Sequence, residues 1–352
     1  MITIHVNTAK PYDVLIGNGL LDRAGELCAP VVAPCRACIV TDDTVAALYA
    51  DRLDKSLTKA GYRTVRFVFP HGEESKSTEM LVALWEFLAE QRLTRSDCLF
   101  ALGGGVVGDL CGFAAATYLR GIRFIQLPTT LLAAVDSSVG GKTAVDLRAG
   151  KNLVGAFHQP ALVLCDPETL HTLPSATFSD GCAEVVKYAV INDRPLFDRL
   201  ASGALTSDTV QVIADCVQHK ADIVCADEFD KGERQLLNLG HTIGHAVELC
   251  SGMQISHGSA VAIGTVTAMR ASVALGLATA EELDELIALL SRLALPTTCA
   301  YTADELAKAA LVDKKRQGDT VTLVLPYAIG DTRLYPIPVS SLSDFLQKGL
   351  TL

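Results

Sequence analysis

Apolar and polar positions alternate early in the chain. Thr3 to Val6 and Tyr12 to Ile16 read as two short strands, with Gly17-Asn18-Gly19 as a turn. Apolar runs then recur at Ala37–Asp42, Arg63–Phe69, Cys98–Leu102 and Phe124–Leu127, and helical patterns lie between the first of them. Strand and helix in that rhythm predict a parallel sheet, whose ligands gather outside the carboxyl ends of the strands. Those ends are Thr41–Thr44, His71–Lys76, Gly103–Asp109 and Pro128–Thr130. Past Leu173-Pro174 the period lengthens to that of helices, over 179–203, 207–229, 233–251, 258–275 and 280–293. A hairpin-like pair, Thr320–Leu325 and Thr332–Tyr335, follows. The pattern predicts an α/β domain with a mostly parallel sheet and a glycine-rich loop over 1–177. A mainly α-helical domain is expected over 178–352.

One helical stretch breaks the apolar rule. Arg234, Asn238, His241, His245 and Glu248 fall at i, i+4, i+7, i+11 and i+14, one face of a helix, while Leu236, Leu237, Leu239, Ile243 and Val247 flank them. Burying such a face costs several kcal/mol unless each group finds a partner, and a metal, an anion or a hydroxylated ligand would supply partners. Gly240 and Gly244 each cost about 1 kcal/mol of helix propensity against Ala, and their bare backbone lets something approach closely.

Composition narrows the classes. The 352 residues are 49% apolar and 20% charged, an ordinary globular balance long enough for two cores. A net charge of -10 argues against nucleic acid as a partner, though not against a locally basic pocket for a small anion. No apolar run is long enough for a bilayer, and the first residues lack the pattern of a signal peptide. The eleven cysteines form no framework, and Cys35–Cys38 is a CxxC without a second pair, so reduced thiols in the cytoplasm are expected.

Gly103, Gly105 and Gly108 match GxGxxG between a strand and a helix, which suits a phosphate cradled by backbone N–H groups. The following strand ends in Pro-Thr-Thr, with no carboxylate for a ribose, so the usual dinucleotide fingerprint is incomplete. Ser138–Thr143 resembles a P-loop but has Asp136 where glycine is required; it reads as a glycine-rich loop presenting Lys142, with Lys151 and Asn152 close behind. His241–His245 has the spacing of zinc proteases without their glutamate, which excludes a peptidase. Metal ligands beyond that pair could come from Glu184 or His257; Glu184 with Lys187 could equally be a surface pair.

Together these stretches closely resemble the 3-dehydroquinate synthase family of sugar-phosphate cyclases, over nearly the whole chain. The segments that carry it are His71–Lys76, Gly103–Asp109, Arg120-Gly121, Pro128–Thr130, Asp136–Lys142, Lys151-Asn152, Ala183–Lys187, Arg234–His245, His257-Gly258 and Asp313–Lys315. The resemblance implies zinc, or cobalt, on Glu184, His241 and His257, with His245 a proton-transfer residue. It implies NAD along Asp42, Glu73, Lys76, Gly105, Val106, Val107, Gly108, Asp109, Thr129, Thr130, Lys142, Lys151, Thr169, Leu170, His171 and Thr172. Lys142, Asp136, Lys187 and Asp230 join His245 as catalytic residues. Arg120, Asn152, Lys220, Arg234, Asn238 and one of Lys314 or Lys315 would hold a small anionic sugar phosphate. The implied reaction oxidises C4 of 3-deoxy-D-arabino-heptulosonate 7-phosphate, eliminates phosphate, reduces C4 again and closes the ring to dehydroquinate. A cytoplasmic homodimer is the implied setting.

One position departs from the family pattern: Asp230 stands before Lys231-Gly232, where the family usually has Glu. Competing readings are a sister cyclase making an inosose or a valiolone, a metal-dependent polyol dehydrogenase, and a binding protein without catalysis. Arg120 and the Asp136–Lys142 loop favour the dehydroquinate branch, because a substrate carboxylate needs cationic partners.

Overall fold

The computed structural model describes residues 1–311, 316–317 and 319–350; Lys314 and Lys315 lie outside them. The chain forms two compact units. One is Met1–Leu173 with Ile213–Phe229, and the other is Pro174–Val212 with Asp230–Leu352. The return of 213–229 to the first unit is not visible in periodicity, which gives a single change of character near Thr177.

The first unit is built on a seven-stranded sheet. Its strands are β1 (Ile2–Val6), β2 (Tyr12–Ile16), β3 (Arg36–Asp42), β4 (Arg63–Phe69), β5 (Cys98–Gly103), β6 (Arg123–Pro128) and β9 (Leu162–Cys165). A separate hairpin, β7 (Lys142–Leu147) and β8 (Gly150–Phe157), lies between β6 and β9 in sequence. The sheet order is β1-β2-β9-β6-β5-β3-β4, with β1 antiparallel to β2 and the other pairs parallel. Both faces are covered. Ala37, Ile39 and Phe100 enter one apolar cluster, while Cys38, Val40, Leu99 and Ala101 enter another. That double burial explains why these strands read as unbroken apolar runs. The chain leaves β3 for β4 on one side and then returns to β5 on the other. The carboxyl ends of β3 and β5 therefore flank a topological switch point, where open α/β sheets bind ligands.

Two expectations change here. Ser138–Thr143 is not one loop: its turn runs into β7, so Lys142 opens a strand, and Lys151 and Asn152 sit on β8. β9 was not expected at all. It is four buried residues bounded by Pro160 and Pro167, too short to show a period.

The second unit is mainly helical, with Ser175–Asn192, Arg194–Ala201, His241–Cys250, His257–Ala274 and Ala280–Arg292 among its helices, and a small antiparallel sheet. That sheet contains β10 (Arg316–Gln317), β11 (Thr320–Ala328) and β12 (Asp331–Pro338), in this order. The expected helix over 179–203 is two. Asp193 ends the first and caps the second through Leu196 N–H at 2.8 Å, with Pro195 in the first turn. No described helix is long and apolar enough to cross a membrane. All eleven cysteines are described, and no disulfide joins any of them.

Candidate active site

The polar stripe is not one helix. Glu233–Asn238 is a 3-10 turn, Gly240 turns left-handed at φ 75°, and only then does the helix His241–Cys250 begin. Arg234 and Asn238 therefore do not continue the face that carries His241, His245 and Glu248. Glycine is required at 240 by its φ and by its neighbour, since an added Cβ would lie 2.6 Å from Val261 O. A Cβ on Gly244 would lie 3.0 Å from Ala260 O, and one on Gly264 would overlap the carbonyl of Gly240. What approaches Gly240 and Gly244 is the helix His257–Ala274, which carries Gly264, packed backbone to backbone. Gly264→Ala should cost about 1–3 kcal/mol of stability, as overpacking does, and a urea melt of the variant checks this.

This packing places two histidines, each the first residue of its helix, with ring centroids 5.2 Å apart. Asp180 fixes the second helix start, accepting from Ser256 Oγ at 2.5 Å and Ser259 N at 3.0 Å. Nothing in the sequence marked Asp180, because its partners lie more than seventy positions away.

Glu184, on the helix Ser175–Asn192, is fully buried and its carboxylate faces both rings. Nε2 of His241 and Nε2 of His257 each lie 3.4 Å from Glu184 Oε1. Lys187, one turn on and also buried, pairs with Glu184 Oε2 and offsets its charge. The surface-pair alternative for these two residues does not fit such burial. The carboxylate of Glu184 and the two imidazoles make a ligand set, with one such atom each of Glu184, His241 and His257 within 4.8 Å of one another. One oxygen and two nitrogens on three packed helices fit a zinc- or cobalt-like cation. A second trio, His245, Glu248 and His257, meets the same spacing.

The outer nitrogens are engaged. His241 Nδ1 lies 3.0 Å from Leu239 O, and His257 Nδ1 lies 3.4 Å from Glu248 Oε2. Burial alone would lower the pKa of His257, but hydrogen bonds to Glu184 and Glu248 and their charges raise it to about 10. His245, a turn beyond His241, has its ring 5.6 Å from His241 and 6.0 Å from His257.

In the first unit the glycine loop follows β5 into the helix Gly105–Thr117. Gly103, Gly104, Gly105 and Gly108 all have ordinary negative or extended φ. Packing requires two of them: a Cβ at Gly103 would overlap Val107, and one at Gly108 would lie 2.8 Å from Gln126 Oε1. Gly104 caps the helix without a side-chain hydrogen bond, leaving its first N–H groups to an outside acceptor. Thr129 Oγ1, just past β6, is buried with no hydrogen-bond partner and lines a cavity with Leu21, Leu102, Asp166 and Thr169. Bare helix N–H groups and an orphaned hydroxyl at the strand ends fit a dinucleotide with a pyrophosphate.

Several of the other first-unit candidates lie near these ends, but Arg120 does not: it stands between the helix Gly105–Thr117 and the start of β6, at the amino ends of the strands. Asp42 ends β3 and accepts from Val45 N at 2.8 Å. Buried Lys76 pairs with Asp109 at 2.6 Å, and Glu73 lies 3.9 Å from Lys76 and 4.0 Å from Lys151. Burial pushes the Asp109 carboxyl up despite Lys76. Thr169 to Thr172 lie in a 3-10 turn held by Tyr49, whose hydroxyl is 2.6 Å from Thr172 Oγ1; His171 is exposed. Asp136 sits in a single π-turn, and Lys220, buried on the helix Thr209–Ala226, pairs with its carboxylate and donates to its carbonyl at 2.6 Å. Lys142 and Arg120 are exposed; Arg120 and Asn152 both hold positive φ, 67° and 54°. Asn enters that region readily, whereas at Arg120, as at Leu119 before it with φ 51°, the left-handed backbone is strained.

Two family models match most of the chain. The 3-dehydroquinate synthase N-terminal model matches residues 66–180, and the C-terminal model of the same family matches 181–316. The chain belongs to the 3-dehydroquinate synthase family. It is 44% identical to a 3-dehydroquinate synthase of Enterococcus faecalis, over 96% of each chain. It is 47% identical to that of Caulobacter vibrioides, over 92% of this chain and 91% of the relative. Among solved structures, a 2-deoxy-scyllo-inosose synthase complexed with carbaglucose-6-phosphate, NAD+ and Co2+ superposes with a TM-score of 0.87 at 25% identity, covering 99% of this chain and 100% of that one. A 2-epi-5-epi-valiolone synthase from Streptomyces hygroscopicus, with NAD+ and Zn2+ bound, gives 0.87 at 28% identity and 96% coverage of both.

Proposed function

We propose that this chain is a phosphate-eliminating carbon–oxygen lyase. It converts 3-deoxy-D-arabino-heptulosonate 7-phosphate to 3-dehydroquinate and phosphate, in the shikimate pathway of aromatic amino acid biosynthesis. The observation that carries the reading is the buried Glu184 facing His241 and His257 in a chain matched by both family models. Hydride uptake at C4 and its return would be the chemistry supplied by bound NAD, and polarisation of neighbouring hydroxyls that supplied by bound zinc or cobalt.

The chain's own residues divide the remaining work. Glu184, His241 and His257 hold the metal, and the glycine loop with Asp42, Glu73, Lys76, Thr129, Thr130, Lys151 and the Thr169–Thr172 turn holds the dinucleotide. In the first unit Arg120, Lys142, Asn152 and the Asp136–Lys220 pair bind substrate anions and hydroxyls. In the second unit Lys187, Arg234 and Asn238 do the same, and cationic groups fixed before substrate arrives lower the entropic cost of orienting it. His245 moves a proton beside the metal, and Asp230 supports that transfer. The proposed setting is a cytoplasmic homodimer.

Protein loaded with zinc and NAD should release one phosphate per heptulosonate phosphate without accumulating NADH absorbance. Stoichiometric NADH would identify a polyol dehydrogenase instead. Turnover of a hexose 6-phosphate alone would place the chain with the inosose synthases.

A further inference from the structure

We propose that Glu248 is a positioning residue of the metal centre, holding the imidazole of His257 in the tautomer and orientation that turn Nε2 toward the metal. The inference deepens the proposed assignment of the metal to Glu184, His241 and His257 and rests on it.

Glu248 is 3% exposed, on a helix whose neighbouring positions Ile243, Ala246 and Val247 are buried and apolar. A carboxylate there costs several kcal/mol unless it is engaged, so its direction carries information. Its Oε2 lies 3.4 Å from Nδ1 of His257, whose Nε2 lies 3.4 Å from Glu184 Oε1. The ring thus stands between two carboxylates, one at each nitrogen.

His241 shows the same arrangement with a different acceptor. Its Nδ1 is 3.0 Å from the carbonyl of Leu239, and a carbonyl only accepts, so Nδ1 carries the hydrogen and Nε2 keeps its lone pair. His257 has no such carbonyl. Among the described residues, Glu248 is the acceptor that its Nδ1 meets. Asp180 fixes the start of the helix beneath His257 through Ser256 and Ser259 but makes no hydrogen bond to the ring. The His257 ring is also about a third exposed, so packing holds it less firmly than it holds Glu184. A carboxylate on the outer nitrogen fixes ring direction and raises ligand basicity, and loss of such a partner weakens metal binding about 10–100-fold.

The test measures metal rather than turnover. Glu248→Gln keeps the shape and one acceptor oxygen and should weaken zinc about 10-fold in a chelator competition; Glu248→Ala should approach 100-fold. Cobalt-loaded Glu248→Gln should keep the visible spectrum of the parent, because no ligand is lost. Nitrogen-15 spectra of histidine-labelled, zinc-loaded parent should show Nδ1 of His257 protonated. Unchanged zinc affinity in both variants overturns the proposal. A cobalt spectrum showing a lost ligand also overturns it, because Glu248 would then be a ligand in the trio with His245. Circular dichroism of the metal-free variants checks folding, and if the alanine variant does not fold the glutamine variant carries the measurement. His241→Ala, run alongside, should lose zinc by orders of magnitude; if it does not, the metal assignment itself has failed, and Glu248 is not what failed.

Discussion

His257→Ala should purify without zinc and show no detectable turnover, whereas His245→Ala should carry a full complement of zinc and turn over slowly. The geometry separates two rings that sequence spacing joined. His257 and His241 aim Nε2 at the same oxygen of Glu184, each at 3.4 Å, and both have the other nitrogen engaged. His245 shares the helix with His241 but belongs to the other trio. Equal metal loss in the two variants would show that His245 is a ligand. Metal content by atomic emission, beside phosphate release, decides it.

A pH dependence follows from the same site. In the metal-free protein the pKa of His257 is raised to about 10, so the ring is cationic at neutral pH, and zinc must displace its proton. Zinc affinity should therefore rise about tenfold per pH unit from pH 7 toward 9, with one proton released per metal bound through this residue. Calorimetry in buffers of different ionisation heat measures that proton. The raised pKa also stabilises the metal-free fold. This contribution is fully present below the unfolded histidine value of about 6.5 and is lost as pH rises toward about 10. Parent and His257→Ala, both stripped of metal, should converge in stability across that window.

Much of this site was legible before the structure, and the parts that were not share a physical cause. The repeating apolar runs gave the parallel sheet because both of its faces are buried, and the glycine loop stood at a strand end as expected. The helix over 233–251 misled. Its periodic polar stripe hid a 3-10 turn and a left-handed Gly240, because period alone cannot register one residue's change of φ. Gly240 and Gly244 read as room for a ligand, yet they seat a neighbouring helix. The Asp136–Lys220 pair and the Asp180 clamp bring together residues 84 and 76 or more positions apart, distances over which local pattern carries no signal. The proposed metal trio of Glu184, His241 and His257 likewise depends on three separate helices. Spacing paired 241 with 245 and left 184 and 257 as open candidates, and only the family resemblance implied 184, 241 and 257 as the set.

Asp230→Asn should lower kcat by about 10²–10⁴-fold with zinc still bound, the loss expected when a proton-handling group is removed. The residue holds φ at 59°, is half-buried, and opens the turn into Glu233–Asn238. Asp and Asn both tolerate the left-handed region, so the substitution keeps the backbone and removes only the charge. That conformation also bears on the departure from the family, whose usual Glu is a methylene longer. A short side chain that bonds locally suits this φ better than a longer one, so Asp230→Glu should lower stability somewhat while retaining more activity than Asp230→Asn. The alternative is that Asp230 is only a favourable charge near a helix start, a role worth about 0.3–1 kcal/mol. In that case Asp230→Asn would melt slightly earlier and turn over at nearly the parent rate. Single-turnover kinetics of metal-replete Asp230→Asn separate the two accounts, because a capping charge leaves the chemical step unchanged and a proton-handling carboxylate slows it.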